Sequence, residues 1–371
     1  MIEKSEEIEK SEEIEKSEEI EKSEEIEKSE EIEKSEEIEK SEELNPGKIF
    51  ETTFAFQPSR VLLAGVDLEV FTHIANGHNT AEDIAKVANA DRRGMEILLN
   101  SLTGLNFLLK PNSKYELTPI AEKFLVKGVP TYYGDFVQVE DLVWEDWRNL
   151  THVVKTGKPF IKVDKEDGKN YFEKLVTLIF PMSYFGAKTA SEMLRVGDKW
   201  KDLNILDVAA GSGAWSIAFA ERDPGTKVVA QDWPNVIEVT KKFVNKFGLD
   251  ERYSYLPGDL RNVYFGHNFF DLVILGHICH SEGAENTIKL IFRAYDSLKR
   301  GGMLLIADMI PDDDRCSAAF PLLFAVTMLI STTEGNTFTM KEYREWLLDV
   351  GFHDIKTLDV PGPSPLIVAI K

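Results

Sequence analysis

Cysteine is scarce in this sequence: only Cys279 and Cys316 occur in 371 residues. Two such residues cannot build a disulfide framework, and no Cys-x-x-Cys zinc spacing is present. A reducing, cytoplasmic setting is the natural expectation. Long apolar runs are also missing. None approaches the roughly 18 residues that would suggest a membrane span. The start, Met1-Ile2-Glu3-Lys4, lacks the apolar centre of a signal peptide. Positive charge is in deficit as well, with 43 Lys and Arg against 64 Asp and Glu, a formal charge of −21. An acidic surface repels phosphate backbones, so neither nucleic acid nor membrane is expected as a partner.

Much of that charge sits in one place. Residues 2 to 43 are seven copies of Ile-Glu-Lys-Ser-Glu-Glu. Each copy carries −2, so the array holds −14 and the rest of the chain only −7. A period of six turns about 240° around a helix, so successive isoleucines never share a stripe. Glu6 and Glu7 both support Lys10 at helical spacing, while Glu3 opposes Glu7. Residues 1–44 therefore read as a solvated tail without a core.

Residues 45–136 read as mostly helical. Leu62 to Phe71 and Ile74 have helical apolar spacing. Thr80 caps an amphipathic stretch from Ala81, and Asp91 opens another that carries Met95, Leu98, Leu99 and Leu102 on one face. Phe107-Leu108-Leu109, a turn at Pro111-Asn112-Ser113 and Tyr115-Glu116-Leu117 form a small hairpin. Helices followed by a hairpin make a winged-helix pattern. A DNA-binding regulator is one function of that pattern, but the presumed recognition helix has only Arg92 and Arg93 as basic residues. Residues 137–200 read as connecting helices unusually rich in aromatics, ordinary core or the wall of a pocket for a flat molecule.

From Leu203 the pattern alternates. Leu203–Ala209, Lys227–Gln231, Tyr253–Leu256, Asp271–Leu275 and Met303–Ala307 are short apolar runs with helical stretches between them. His353–Leu358 and Pro365–Ile370 follow. This predicts a doubly wound α/β sheet over residues 201–371. Ligands bind such sheets beyond the carboxyl ends of strands, at the switch point. The first turn there is Asp207-Val-Ala-Ala-Gly211-Ser-Gly213. A pyrophosphate cofactor would want a third glycine where Ser216 stands, and no Walker lysine occurs. The second strand ends at Asp232-Trp233, placing a carboxylate for a ribose diol. The third is followed by Gly258-Asp259-Leu260, placing another near an adenine. This ordered set resembles the layout of class I S-adenosylmethionine methyltransferases, with a Rossmann-like sheet.

The resemblance is closer to one branch. From about residue 50 to 371 the chain resembles the O-methyltransferases that include plant caffeic acid and animal hydroxyindole enzymes. The matching residues are Asp207–Gly213, Asp232-Trp-Pro234, Gly258-Asp259, Ile278-Cys-His280, Leu298-Lys-Arg-Gly-Gly302 and Leu304–Asp308. The resemblance implies S-adenosylmethionine as cofactor, a winged-helix dimerisation domain, a homodimer and a small-molecule acceptor, aromatic or polyketide-like. It implies His280 as general base, since an acceptor hydroxyl is a poor nucleophile until its proton leaves and an imidazole can take it near neutral pH. It implies Asp308 as the carboxylate that orients His280, and a second acid near Glu334 or Thr337, of which Glu334 is taken. It places Phe180, Met182, Tyr184, Phe320, Phe324 and Met328 at the acceptor pocket. Two departures stand out. The plant motif continues His-Asp-Trp, whereas this chain has His280-Ser281-Glu282, and a lysine often found four residues before the histidine is Gly276 here. Carbon or nitrogen methyl transfer on the same scaffold is the alternative. His277 and His280 have the spacing of a metal pair, but the expectation is no metal.

Overall fold

The computed structural model describes residues 45–160, 169–362 and 365–371. The repeat expected as a solvated tail lies outside the described residues. The described residues fall in two units, one ending at Pro58 and one running from Ser59 to Lys371. In the first, the described residues include the helix Gly47–Phe54.

The second unit opens with the helical region the sequence predicts. The apolar stretch from Leu62 to Ile74 is broken rather than continuous: one helix ends at Asp67, Glu69 takes φ +49°, and Val70–Ala75 begins a new one. Thr80 caps Ala81–Val87 by accepting the Asp83 N–H at 3.1 Å, and Asp91 caps Arg92–Gly104 by accepting the Gly94 N–H at 2.8 Å. These caps satisfy amide groups that a helix start leaves unpaired. A two-stranded hairpin pairs Leu108 with Leu117 and Leu109 with Glu116. Its turn uses positive φ at Asn112 and Ser113. Phe71, Ile84, Met95, Leu99, Leu102, Leu108 and Tyr115 are almost wholly buried together. Each such side chain contributes roughly 1.5–3 kcal/mol on burial.

A seven-stranded sheet follows. Its strands are β1 (Asn204–Val208), β2 (Lys227–Asp232), β3 (Tyr253–Pro257), β4 (Phe270–Gly276), β5 (Leu298–Ala307), β6 (His353–Leu358) and β7 (Leu366–Ile370). Their spatial order is β3-β2-β1-β4-β5-β7-β6. The first five run parallel, while β7 is antiparallel to both β5 and β6. The central strands alternate between two cores. Ile205, Ile274 and Leu305 face one, and Leu206, Val273 and Leu304 the other. Burial on both faces is why these strands read as apolar runs.

The helices that shape the site are α1 (Phe180–Met193), α2 (Ala214–Arg222), α3 (Pro234–Lys246), α4 (Cys279–Ser297), α5 (Ala319–Ser331) and α6 (Met340–Val350). The strand order reverses between β1 and β4, where Val208 pairs with Leu275, and Gly276 pairs with Ala307 on β5. The loops leaving β1, β4 and β5 therefore open side by side. Among the described residues no helix is long and apolar enough to cross a membrane.

Candidate active site

The turn after β1 is held by the end of β2. Gly211 and Gly213 take φ of +58° and +76°, a region in which a side chain would be strained. The Gly211 N–H donates to Asp232 Oδ2 at 2.8 Å, and the Trp233 N–H donates to Oδ1 at 2.7 Å. Burial pushes the Asp232 carboxyl up to about 6, against the pull of those two N–H bonds. Thr240 on α3 donates its hydroxyl to the Gly211 carbonyl at 2.7 Å. Asp207 lies beneath the turn, with 1% of its surface exposed, and accepts the Ser216 hydroxyl at 2.5 Å. Burial raises its carboxyl to about 7. In this position Asp207 braces the turn.

The third carboxylate follows β3. The Gly258 N–H donates to the Asp232 carbonyl at 2.9 Å, tying the ends of β2 and β3 together. Asp259 Oδ1 accepts the Arg261 N–H at 2.9 Å, and the Leu260 carbonyl accepts from Arg293. Arg261 also forks onto Glu282 at 2.8 and 2.9 Å. Glu282 is buried on α4, two residues after His280, so the loop of Asp259 is fastened to the helix that carries the histidine.

His280, at the start of α4 just beyond β4, and Asp308, just beyond β5, come together. His280 Nδ1 lies 2.5 Å from Asp308 Oδ1, and the two side chains are 7% and 0% exposed. Asp308 Oδ1 also accepts the Met309 N–H at 2.8 Å, and Oδ2 accepts the Tyr343 hydroxyl from α6. Burial alone would raise the Asp308 carboxyl. The His280 ring and the Tyr343 and Met309 donors outweigh it and hold it below the usual carboxylate range. An ionised Asp308 fixes the His280 proton on Nδ1 and leaves Nε2 bare. A bare imidazole nitrogen is a proton acceptor.

The matches to known proteins agree with this geometry. Residues 187–353 match the O-methyltransferase domain, and residues 50–127 match the O-methyltransferase dimerisation domain. The chain belongs to the S-adenosylmethionine-dependent O-methyltransferase family. The tetracenomycin polyketide synthesis 8-O-methyl transferase of Streptomyces glaucescens is 27% identical over 334 residues, 88% of this chain and 97% of that one. The 3-hydroxy-5-methyl-1-naphthoate 3-O-methyltransferase of Streptomyces sahachiroi is 28% identical over 324 residues, 84% of this chain and 92% of that one. The crystal structure of a candidate O-methyltransferase from Nostoc punctiforme superposes with a TM-score of 0.80 at 27% identity, covering 89% of this chain and all of the other.

Other residues of this O-methyltransferase fall in two places. Phe324 on α5 meets the His280 ring edge-on, with centroids 4.9 Å apart, and Phe320 lies 6.3 Å from Phe324. Met328 is buried nearby, its sulfur 3.9 Å from the Ser281 hydroxyl. Phe180 and Tyr184 go elsewhere. Phe180 stacks on Phe243, Tyr184 packs at a tilt against Phe247, and the Tyr184 hydroxyl donates to Glu221 at 2.5 Å. Met182 and Gly186 lie on a different face of α1 and line a crevice beside Asp308. The reason is helical geometry: residues 180 and 184 share one stripe, 182 and 186 another.

Glu334 also departs from its expected role. It is exposed, and the loop approaches His280 through backbone, with the Asn336 N–H donating to the His280 carbonyl at 2.8 Å. Among the described residues Asp308 is the carboxylate recorded against the His280 ring. Ligand atoms of His277, His280 and Asp308 lie within 4.8 Å of one another, close enough to share a metal ion. Three Asp308 lone pairs are already committed to His280, Met309 and Tyr343.

Sequence reasoning missed Tyr343, Arg261, Glu282 and Trp215. The break in the His-Asp-Trp pattern was the available signal for Glu282. The missing lysine at Gly276 was the signal for Trp215: a Cβ on Gly276 would lie 2.6 Å from Trp215 Cδ1. Nothing in the sequence marks Tyr343.

Proposed function

We propose that this enzyme methylates a hydroxyl of a small aromatic or polyketide-like metabolite, with His280 as general base. The observation that carries the reading is the buried His280–Asp308 pair at 2.5 Å, with the bare Nε2 that it leaves. The names of the two Streptomyces relatives, for polyketide and naphthoate O-methylation, support the acceptor class.

The residues present fit S-adenosylmethionine. Asp232 is hydrogen-bonded into the glycine turn, and each of its oxygens keeps a lone pair beyond the one taken by a backbone N–H. Those lone pairs suit a ribose diol, and Asp259 and Leu260 stand one strand further on for the adenine. When bound, the cofactor would supply a methyl group on a sulfonium whose sulfur keeps the electron pair of the broken S–CH3 bond and leaves as a neutral thioether. His280 Nε2 takes the acceptor hydroxyl proton. Asp308 stabilises the imidazolium, and the acceptor oxygen forms the new bond to carbon. Phe324 and Met328 supply the apolar wall. The dimerisation domain supports a homodimer.

The test is incubation with methyl-labelled cofactor and a panel of hydroxynaphthoates, with the methylated atom located in the product. Methyl on oxygen is expected, with His280→Ala lowering kcat about 10²- to 10⁴-fold. Methyl on carbon or nitrogen, or a His280→Ala variant of full activity, would overturn the reading.

A further inference from the structure

Among the described residues, two buried polar atoms near the base have no hydrogen-bond partner: Trp215 Nε1 and His277 Nδ1. Trp215 is only 6% exposed. A buried donor left unmet is costly, and native proteins keep few of them without a use. The two rings are neighbours, with centroids 5.9 Å apart, and His277 lies 6.4 Å from His280.

Both residues line one crevice, together with Met182, Gly186, Asp308 and Pro361. Its volume is about 20 Å³, space for one oxygen atom or one water. Gly211, Gly213, Asp232 and Asp259 do not line it. Asp308 does line it, so the crevice adjoins the carboxylate that holds the base, while His280, Phe324 and Met328 lie outside its lining.

The walls are closely packed. The indole is packed against Gly276, and its Cη2 atom would lie 3.7 Å from a Cβ on Gly186. His277 holds φ +59°, uncommon for a residue with a side chain, while its N–H donates to the Ala307 carbonyl at 2.7 Å. Backbone strain of this kind clusters at functional positions.

We propose that Trp215 and His277 form a one-oxygen subsite that reads a second oxygen on the acceptor, on the carbon next to the methylated hydroxyl. This deepens the proposed function and rests on it. The indole N–H can only donate, so it requires an acceptor oxygen. Burial pushes the His277 ring down to about 4, so it is neutral at working pH and either accepts or donates at Nδ1. The pair thus suits a hydroxyl or a carbonyl and gives no purchase to a hydrocarbon edge. The favoured class is a catechol-like aromatic.

The probes are 2,3-dihydroxynaphthalene and 2-naphthol, titrated calorimetrically into the complex of the full chain with S-adenosylhomocysteine. The diol should bind at least about tenfold tighter to the native enzyme. Trp215→Phe and His277→Phe should each bring that ratio toward one, and His277→Asn, which keeps a polar edge, should restore part of it. An equal ratio in the native enzyme, no binding of either naphthol, or a ratio indifferent to the three substitutions overturns the subsite. So does a loss confined to S-adenosylhomocysteine affinity, which would assign the crevice to the cofactor. Methylation is read separately: a preserved binding ratio without O-methyl product upholds the subsite and sinks the proposed reaction.

Discussion

Asp308 is shared between His280 and Tyr343: one carboxylate oxygen takes the imidazole Nδ1 at 2.5 Å, the other takes the phenol hydroxyl. The three side chains come from three separate segments of the chain, and Tyr343 and Asp308 are almost wholly buried. The arrangement sets the His280 tautomer. Asp308→Asn presents an amide that can donate, which allows the wrong tautomer. The expected loss in kcat is on the order of 10²- to 10⁴-fold, with S-adenosylhomocysteine affinity unchanged by calorimetry. Unaltered turnover would refute the pairing.

Tyr343→Phe keeps the ring and removes one donor from a buried, ionised carboxylate. Hydrogen bonds to charged groups contribute about 1.5–3 kcal/mol. Denaturant unfolding should show a loss of that order. A variant as stable as the native protein would mean that Asp308 does not depend on the phenol.

A ribose held by Asp232 would tie cofactor binding to pH. Its carboxyl is raised by burial to about 6 in the folded protein. An unfolded aspartate titrates near 3.9, as a rough reference. The folded state therefore holds its proton more tightly. The stability from this group is complete below about pH 4 and is lost as pH rises through about 6. Ribose hydroxyls need the ionised form, so affinity runs the other way. S-adenosylhomocysteine should bind about tenfold more weakly at pH 5 than at pH 7.5. Asp232→Asn should flatten that profile, and a profile unaffected by the substitution would exclude Asp232 as the titrating group.

Glu282 and Arg261 fasten the Asp259 loop to α4. Glu282 has 6% of its side chain exposed and Arg261 31%, so solvent screens the pair only in part. Glu282→Gln should cost about 1–3 kcal/mol in stability and weaken cofactor binding more than acceptor binding. Arg261→Met in the same background should add little further. Independent, additive losses would show that the two residues do not act together.

The parallel strands were readable because each is buried on both faces and ends in a turn. Six of the seven expected strand segments lie within about two residues of those observed, and β5 begins earlier, at Leu298. The helix break at Glu69 was not readable, since apolar spacing continues across it. The family resemblance places Phe180 and Tyr184 at the acceptor pocket, while in the structure their rings pack against Phe243 and Phe247, because position on the helix and not residue type sets which neighbour a ring meets.

The sequence by itself determined the order of elements, the glycine turn and the acidic strand ends, all carried by neighbours within a few residues. Tertiary structure alone decided which carboxylate meets His280, that Tyr343 braces it, and that Trp215 fills the space beside Gly276. Those contacts join loops that the strand order brings side by side, and no periodicity or spacing along the chain encodes that meeting.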